Sequence, residues 1–265
     1  MKIGFIGTGN MGSALATAVS KSLLSPEIYL ADFDRTKAEV LAARLTATVA
    51  SAKELCRLCD MVFLGVKPQG LPALLEEIAP IVKERGKDLT LISMAAGVKT
   101  DAILSCVGTG ASLIRIMPNT PVAVGEGVIV YAARGVADDV KKRFLLSLSQ
   151  AGLVEEIPEE KIDAASALHG CGPAFVYLFI EALADGAVAC GLSRDAALRF
   201  AAGTVKGAGE MVLETGRHPG ELKDAVCSPG GSTIRGVMAL EEGAFRGTVS
   251  DAVIASYEKT LELGK

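Results

Sequence analysis

The apolar run Ile3-Gly4-Phe5-Ile6 stops on Gly7-Thr8-Gly9-Asn10-Met11-Gly12, and helical spacing follows at once over residues 10–24. A parallel strand that ends on a GxGxxG turn sets helix amides and the positive helix end beneath a phosphate, and each glycine removes a Cβ that would block its approach. Such a motif is weak alone. Here it follows a strand, opens a helix and begins an alternating α/β half, which is the context it requires. The expected ligand is a nicotinamide dinucleotide with its pyrophosphate on this turn; a glycine-rich packing turn is the alternative.

The alternation continues with a strand at Glu27–Ala31, a helix near 34–45, a strand at 60–66, a helix near 70–83, and strands at 89–93 and 112–117. A further strand at 127–131, a helix at 138–150 and a short strand at 153–157 precede Pro158. This pattern predicts an α/β domain over 1–158, a Rossmann doubly wound parallel sheet. After Pro158 the β-branched runs give way to Ala-rich helical stretches, broken at Gly191-Leu192-Ser193, Gly216-Arg217-His218-Pro219-Gly220 and Ser228-Pro229-Gly230-Gly231. Residues 159–265 should therefore form an all-α domain.

Asp32 lies twenty residues past Gly12, where an acid takes ribose hydroxyls and repels a 2′-phosphate. Arg35, three residues on, could instead pair with that phosphate. NADH and NADPH both stay open on these two residues, and a pair of ordinary surface charges is the third reading. Ligands in such sheets meet the loops at the carboxyl ends of the strands, which here include Val66-Lys67-Pro68 and Ser93-Met94-Ala95-Ala96-Gly97-Val98. Both should line the dinucleotide cleft, with Lys67 toward the nicotinamide half or simply solvated. Two prolines fix the loop Pro118-Asn119-Thr120-Pro121, so Asn119 either positions a ligand or completes a turn.

A second candidate cradle is Cys227-Ser228-Pro229-Gly230-Gly231-Ser232-Thr233, a glycine turn running into an amphipathic helix with free amides and hydroxyls. Lacking a basic side chain, it suits a single carboxylate better than a phosphate cluster; an ordinary Ser N-cap is the plain alternative. Gly170-Cys171-Gly172-Pro173-Ala174 interrupts the preceding helical stretch and cannot be assigned from spacing alone. His169 and His218 have no carboxylate partner in sequence and read as structural.

A net charge of -4 with scattered Lys and Arg offers no stripe for nucleic acid. The most apolar window, 174–192, carries Glu181 and Asp185, which favours a buried core or interface helix over a membrane span. The start Met1-Lys2-Ile3-Gly4-Phe5 leaves no room for a secretory leader, so a cytoplasmic location is expected. The six cysteines, with Cys56-Arg57-Leu58-Cys59 the sole close pair, read as packing thiols rather than a metal site.

Taken in order, the turn through Gly12, Val66-Lys67-Pro68, Ala95-Ala96-Gly97, Met117-Pro118-Asn119-Thr120-Pro121, His218-Pro219-Gly220 and above all Ser228-Pro229-Gly230-Gly231-Ser232-Thr233-Ile234 resemble the pyrroline-5-carboxylate reductases over essentially the whole chain. The resemblance implies reduction of a cyclic imine to proline by hydride transfer from NADPH or NADH. It implies a carboxylate site made by the backbone around Gly230, Gly231, Ser232 and Thr233 with the Ser228 hydroxyl, and places Thr233 nearest the ring nitrogen. It also implies a helical dimerisation domain, with dimers gathering into a decamer. Two positions depart from the family's habit: His169-Gly170-Cys171-Gly172-Pro173-Ala174-Phe175 stands for Ser-Gly-Ser-Gly-Pro-Ala-Tyr, and Asp32 for a small polar residue. Competing readings are a related imine or β-hydroxyacid reductase and an NAD(P)H sensor without turnover.

With aromatics at 5% and no Trp, an Ala-rich helical domain has a thin core. Self-association would cover its remaining apolar faces, so sedimentation at micromolar concentration should give a dimer or a multiple of it; a monomer would contradict this.

Overall fold

The computed structural model describes residues 1–23 and 26–263. By internal contacts the chain divides into two compact units, 1–170 with 257–265, and 171–256. The end of the first expected helix at Leu24, and Gly264 and Lys265 of the expected helical domain, lie outside the described residues.

In the first unit the order is β1 (Lys2–Ile6), α1 (Asn10–Ser22), β2 (Glu27–Ala31), α2 (Arg35–Leu45), β3 (Thr48–Val49), α3 (Ala52–Leu58), β4 (Met61–Leu64), α4 (Leu71–Arg85), β5 (Thr90–Ser93), α5 (Thr100–Val107), β6 (Ser112–Pro118), β7 (Gly127–Arg134), α6 (Asp138–Ser147), β8 (Gly152–Glu156) and α7 (Ile162–Ala165). The strands make one sheet in the order β3-β2-β1-β4-β5-β6-β7-β8. Both of its faces are covered, which is why its strands read as continuous apolar runs. Ile3, Phe5 and Phe63 point to the core shared with α1, α2 and α6. Ile6, Val62 and Leu64 point to the opposite core with α3, α4 and α5. Phe5 and Phe63 stack across neighbouring strands at 4.6 Å.

The sheet is not wholly parallel as expected, because β7 runs antiparallel to β6. The link between them is a short 3-10 turn, Thr120–Val124, closed by Gly125 at φ +80°. So brief a link cannot hold a crossover helix and must reverse the chain. Two helices, α3 and α5, and the two-residue β3 were not anticipated; each is short, although Ser51 and Glu54 form a full capping box at the start of α3.

Beyond α7 the helix does not break at Gly170. It widens into a π turn over Ser166–Gly170 and resumes as α8 (Gly172–Ala189), which opens the second unit, with Pro173 in its first turn. That unit continues through α9 (Arg194–Thr215), α10 (Pro219–Ala225), α11 (Ser232–Glu242) and most of α12 (Phe245–Leu263). Its buried cluster is Ala184, Ala197 and Ala201, while Leu178, Phe200 and Leu213 stay exposed. The run Glu159–Ala189 is long and apolar enough to cross a membrane by length and composition, yet 6% of its apolar window is buried within the chain. A core-helix reading of that window is thereby corrected; three alanines cannot cover it.

One buried charge ties the sheet to the segment after β8. Arg115 is 1% exposed and meets Asp163 Oδ1 at 2.9 Å and Glu159 Oε1 at 3.4 Å. Glu159 also accepts the Thr100 amide and hydroxyl at 2.7 and 2.6 Å, serving the start of α5 as a distant cap. Partial burial would raise its pKa, but the Thr100 and Arg115 contacts outweigh that and hold it below the usual carboxylate value.

Removing one partner of a buried pair strands the other, so Arg115→Ala should lose about 3–5 kcal/mol in urea unfolding. The Glu159 contribution is present above the ordinary carboxylate range and lost as pH falls through its lowered folded value. Glu159→Gln should therefore flatten the acid limb of the stability curve; an unchanged limb would remove Glu159 from the account.

Candidate functional site

The parallel strands β1, β2, β4, β5 and β6 all end at one edge of the sheet. There β1 lies between β2 and β4, the switch point at which an open α/β sheet leaves a crevice. Hydrogen bonding runs on past the strands: Gly7 N donates to Ala31 O and Gly65 N to Ile6 O, each at 2.7 Å.

The three glycines of the turn do different things. Gly7 has φ +98°, and a Cβ on it would stand 2.5 Å from Gly65 O; one on Gly12 would press still closer on Gly7 O. Both are demanded by the packing of the backbone on itself. A Cβ on Gly9 would meet nothing within 4 Å. Gly9 is the N-cap of α1, with no side chain on the helix amides, so the space above it is open to an anion. A dinucleotide pyrophosphate fits this cradle.

Beside it runs a groove of about 860 Å³ lined by Gly7, Gly9, Asp32, Phe33, Val66 and Lys67, with Ala50 and Ser51 from the loop before α3. Phe33 stands wholly in solvent there. The loops expected at the first two strand ends thus share one groove. Pro68 starts a 3-10 turn after Lys67. The third loop adjoins β4, with Met94 N on Leu64 O at 3.4 Å, but does not line this groove. Its Ala95 is buried in the core, Ala96 is exposed, and Gly97 has φ +74°.

The Asp32 carboxylate faces the glycine turn itself. Its Oδ2 accepts the Thr8 amide at 2.6 Å and the Thr8 hydroxyl at 2.9 Å, and Oδ1 accepts the Asp34 amide at 2.9 Å. Partial burial raises its pKa, but these hydrogen bonds and the Lys37 charge outweigh that and keep it below the usual carboxylate value. Arg35 is exposed and donates to Glu39 at 2.8 Å. Asn10 and Met11 begin α1, with Asn10 exposed.

Asn119 is 7% exposed and both ends of its amide are engaged: Nδ2 donates to His169 O at 2.9 Å, and Oδ1 accepts the Val128 amide at 2.8 Å. His169 answers with ring nitrogens 2.8 Å from Met117 O and 2.6 Å from Ala165 O. These two side chains stitch the loop after β6 to the π turn, a link between residues fifty apart that no local pattern announces. His218 caps α10, its Nδ1 accepting the Gly220 amide at 3.1 Å. Both histidines thus have structural partners.

In the second unit, Gly230 has φ +68° and Gly231 N donates to Ser228 O at 3.0 Å, closing a tight turn. The N-cap of α11 is Gly231 and carries no side-chain cap, so the expected alternative of a capping serine is not what forms. Ser228, Gly230, Ser232 and Thr233 are exposed around the open helix end. The cradle resembles that of α1 in kind: a glycine N-cap with amides left free.

Burial pushes the Cys56 and Cys59 thiols up to about 12, as expected of packing residues.

Comparison with known proteins gives a consistent result. A family described as pyrroline-5-carboxylate reductase dimerisation matches residues 159–263, and one described as NADP oxidoreductase, coenzyme F420-dependent, matches 2–97. The pyrroline-5-carboxylate reductase of Pisum sativum is 39% identical, covering 98% of this chain and 95% of its own. A crystal structure of the Plasmodium falciparum pyrroline carboxylate reductase with NADP bound is 35% identical, with a TM-score of 0.84, and covers 100% and 98%. The Coxiella burnetii pyrroline-5-carboxylate reductase structure is 31% identical, with a TM-score of 0.92, and covers 99% and 98%.

Gly9 and Gly12 separate ligand from fold. Gly9→Ala should cost about 1 kcal/mol or less, as Ala for Gly at an N-cap does, yet weaken dinucleotide binding at least tenfold. Gly12→Ala should lower the melting temperature as well, and equal stability losses in the two variants would refute the distinction.

Proposed function

The chain belongs to the pyrroline-5-carboxylate reductase family, and on that premise we infer that it reduces L-1-pyrroline-5-carboxylate to L-proline with NADH or NADPH. What carries this reading is the pair of helix ends with glycine N-caps and open amides, one beside a dinucleotide-sized groove and one with the Ser228, Ser232 and Thr233 hydroxyls exposed around it. The reduced nicotinamide, when bound, supplies a hydride for the imine carbon.

The chain's own residues bind and orient. The turn Gly7 to Gly12 would hold the pyrophosphate, and Asp32 with Arg35 borders the adenosine end. Val66, Lys67 and Pro68 would line the next stretch of the dinucleotide, and the loop Ala95-Ala96-Gly97 and the loop shaped by Asn119, which lie outside the groove, would border its nicotinamide end. Ser228, Gly230, Gly231 and Ser232 would take the substrate carboxylate, and the Thr233 hydroxyl would lie at the ring nitrogen. A protonated cyclic imine is already electrophilic, so a site whose two histidines are held structurally suffices, with orientation the main contribution.

The domain organisation that goes with this is a dinucleotide-binding domain over 1–158 and a substrate and dimerisation domain over 159–265. Exposed Leu178, Phe200 and Leu213 support a dimer through the helical part, and we propose the decamer as its higher assembly.

Purified protein should oxidise NADH or NADPH with pyrroline-5-carboxylate and leave β-keto acids untouched; the reverse selectivity would refute the substrate. Thr233→Ala should lower kcat by about ten- to a hundredfold while stability stays within about 0.5 kcal/mol, since the side chain is exposed. Wild-type kinetics in that variant would end its proposed role.

A further inference from the structure

The family relation leaves the coenzyme's phosphate open, and the 2′ position is where this chain's charges are most organised. The Asp32 carboxylate follows the last residue of β2 and lines the groove that starts at the glycine turn. It is built into that turn: a swing away from the groove would strip acceptors from both the amide and the hydroxyl of Thr8, which is 5% exposed. A carboxylate has about four lone-pair positions. Three are used here by Thr8 and Asp34, which leaves one on Oδ1 for a donor such as a ribose hydroxyl and none of the donors that a phosphate dianion needs.

The nearby cations do not reverse this. Arg35 is drawn to Glu39, and Lys37 stands 3.7 Å from Asp34. Both pairs are exposed and could be broken cheaply, whereas Asp32 cannot leave. A 2′-phosphate would thus arrive beside a fixed anion, with Asp34 next in line, Arg35 and Lys37 each shared with a carboxylate and Arg44 donating to the Thr17 hydroxyl.

We propose that Asp32 makes this enzyme NADH-selective, accepting a ribose hydroxyl and rejecting the 2′-phosphate of NADPH by charge. The proposal rests on the reading of the first unit as the dinucleotide site. Partial burial raises the Asp32 pKa, but the hydrogen bonds from Thr8 and Asp34 and the Lys37 charge outweigh that and favour the charged carboxylate.

The test is direct binding of NADH and NADPH to the full chain, by calorimetry at fixed low ionic strength, beside KM values for both. NADH should bind at least tenfold more tightly. Asp32→Asn keeps the shape without the charge and should bring the two affinities within about threefold, chiefly by tighter NADPH binding. Asp32→Ser should shift the ratio in the same direction. Equal or tighter NADPH binding by the unaltered protein would overturn the proposal, as would an Asp32→Asn ratio matching that of the unaltered chain. If NADH binds selectively but pyrroline-5-carboxylate is not reduced, the selectivity stands and the substrate reading falls. If neither coenzyme binds, both fall.

Discussion

The close backbone contact among Gly7, Gly12 and Gly65 governs the upper edge of this sheet. Side chains at Gly7 or Gly12 would drive β1, α1 and the loop after β4 apart, since each added Cβ would press on a neighbouring carbonyl. Their absence lets α1 start directly beneath the turn, with Gly9 left open above it. Thr8 lies inside the same contact and extends it sideways to Asp32, so the end of β2 is held to the turn by side-chain hydrogen bonds as well as by the sheet. The glycine turn and the end of β2, both of which border the groove, are thereby joined directly.

At β6 the sheet is secured by polar contacts rather than close packing. Arg115 reaches from β6 to Glu159 and Asp163, and Asn119 with His169 repeats the link a few residues later. The chain leaving the sheet is therefore held at two successive points before α8 begins. In the second unit the buried cluster is three alanines, and large apolar side chains remain in solvent. Burial of that surface by a second copy would provide what so small a core does not.

What could be read in the sequence follows from these causes. Strands buried on both faces must be apolar throughout, so β1, β4, β5 and β6 announce themselves, and the two glycine turns carry a fixed local chemistry. The short β3, α3 and α5 lack the length over which periodicity builds a signal, although the Ser51 and Glu54 capping box marks the start of α3. The reversal at β7 depends on the length of one link. The Arg115 cluster, the Asn119 and His169 clamp and the Thr8 to Asp32 lock join residues far apart in the chain, and nothing local in the sequence pairs them. The inward turn of Asp32 is the most consequential of these, because it changes a surface acid into a fixed element of the groove.

The central claim is that two helix ends with glycine N-caps hold the two anionic reactants. A crystal structure of the protein with NAD⁺ and proline tests it most directly. The account predicts the pyrophosphate over Gly9 at the start of α1 and the proline carboxylate on the amides of Gly231, Ser232 and Thr233. A carboxylate bound elsewhere, with the start of α11 left to solvent, would contradict it.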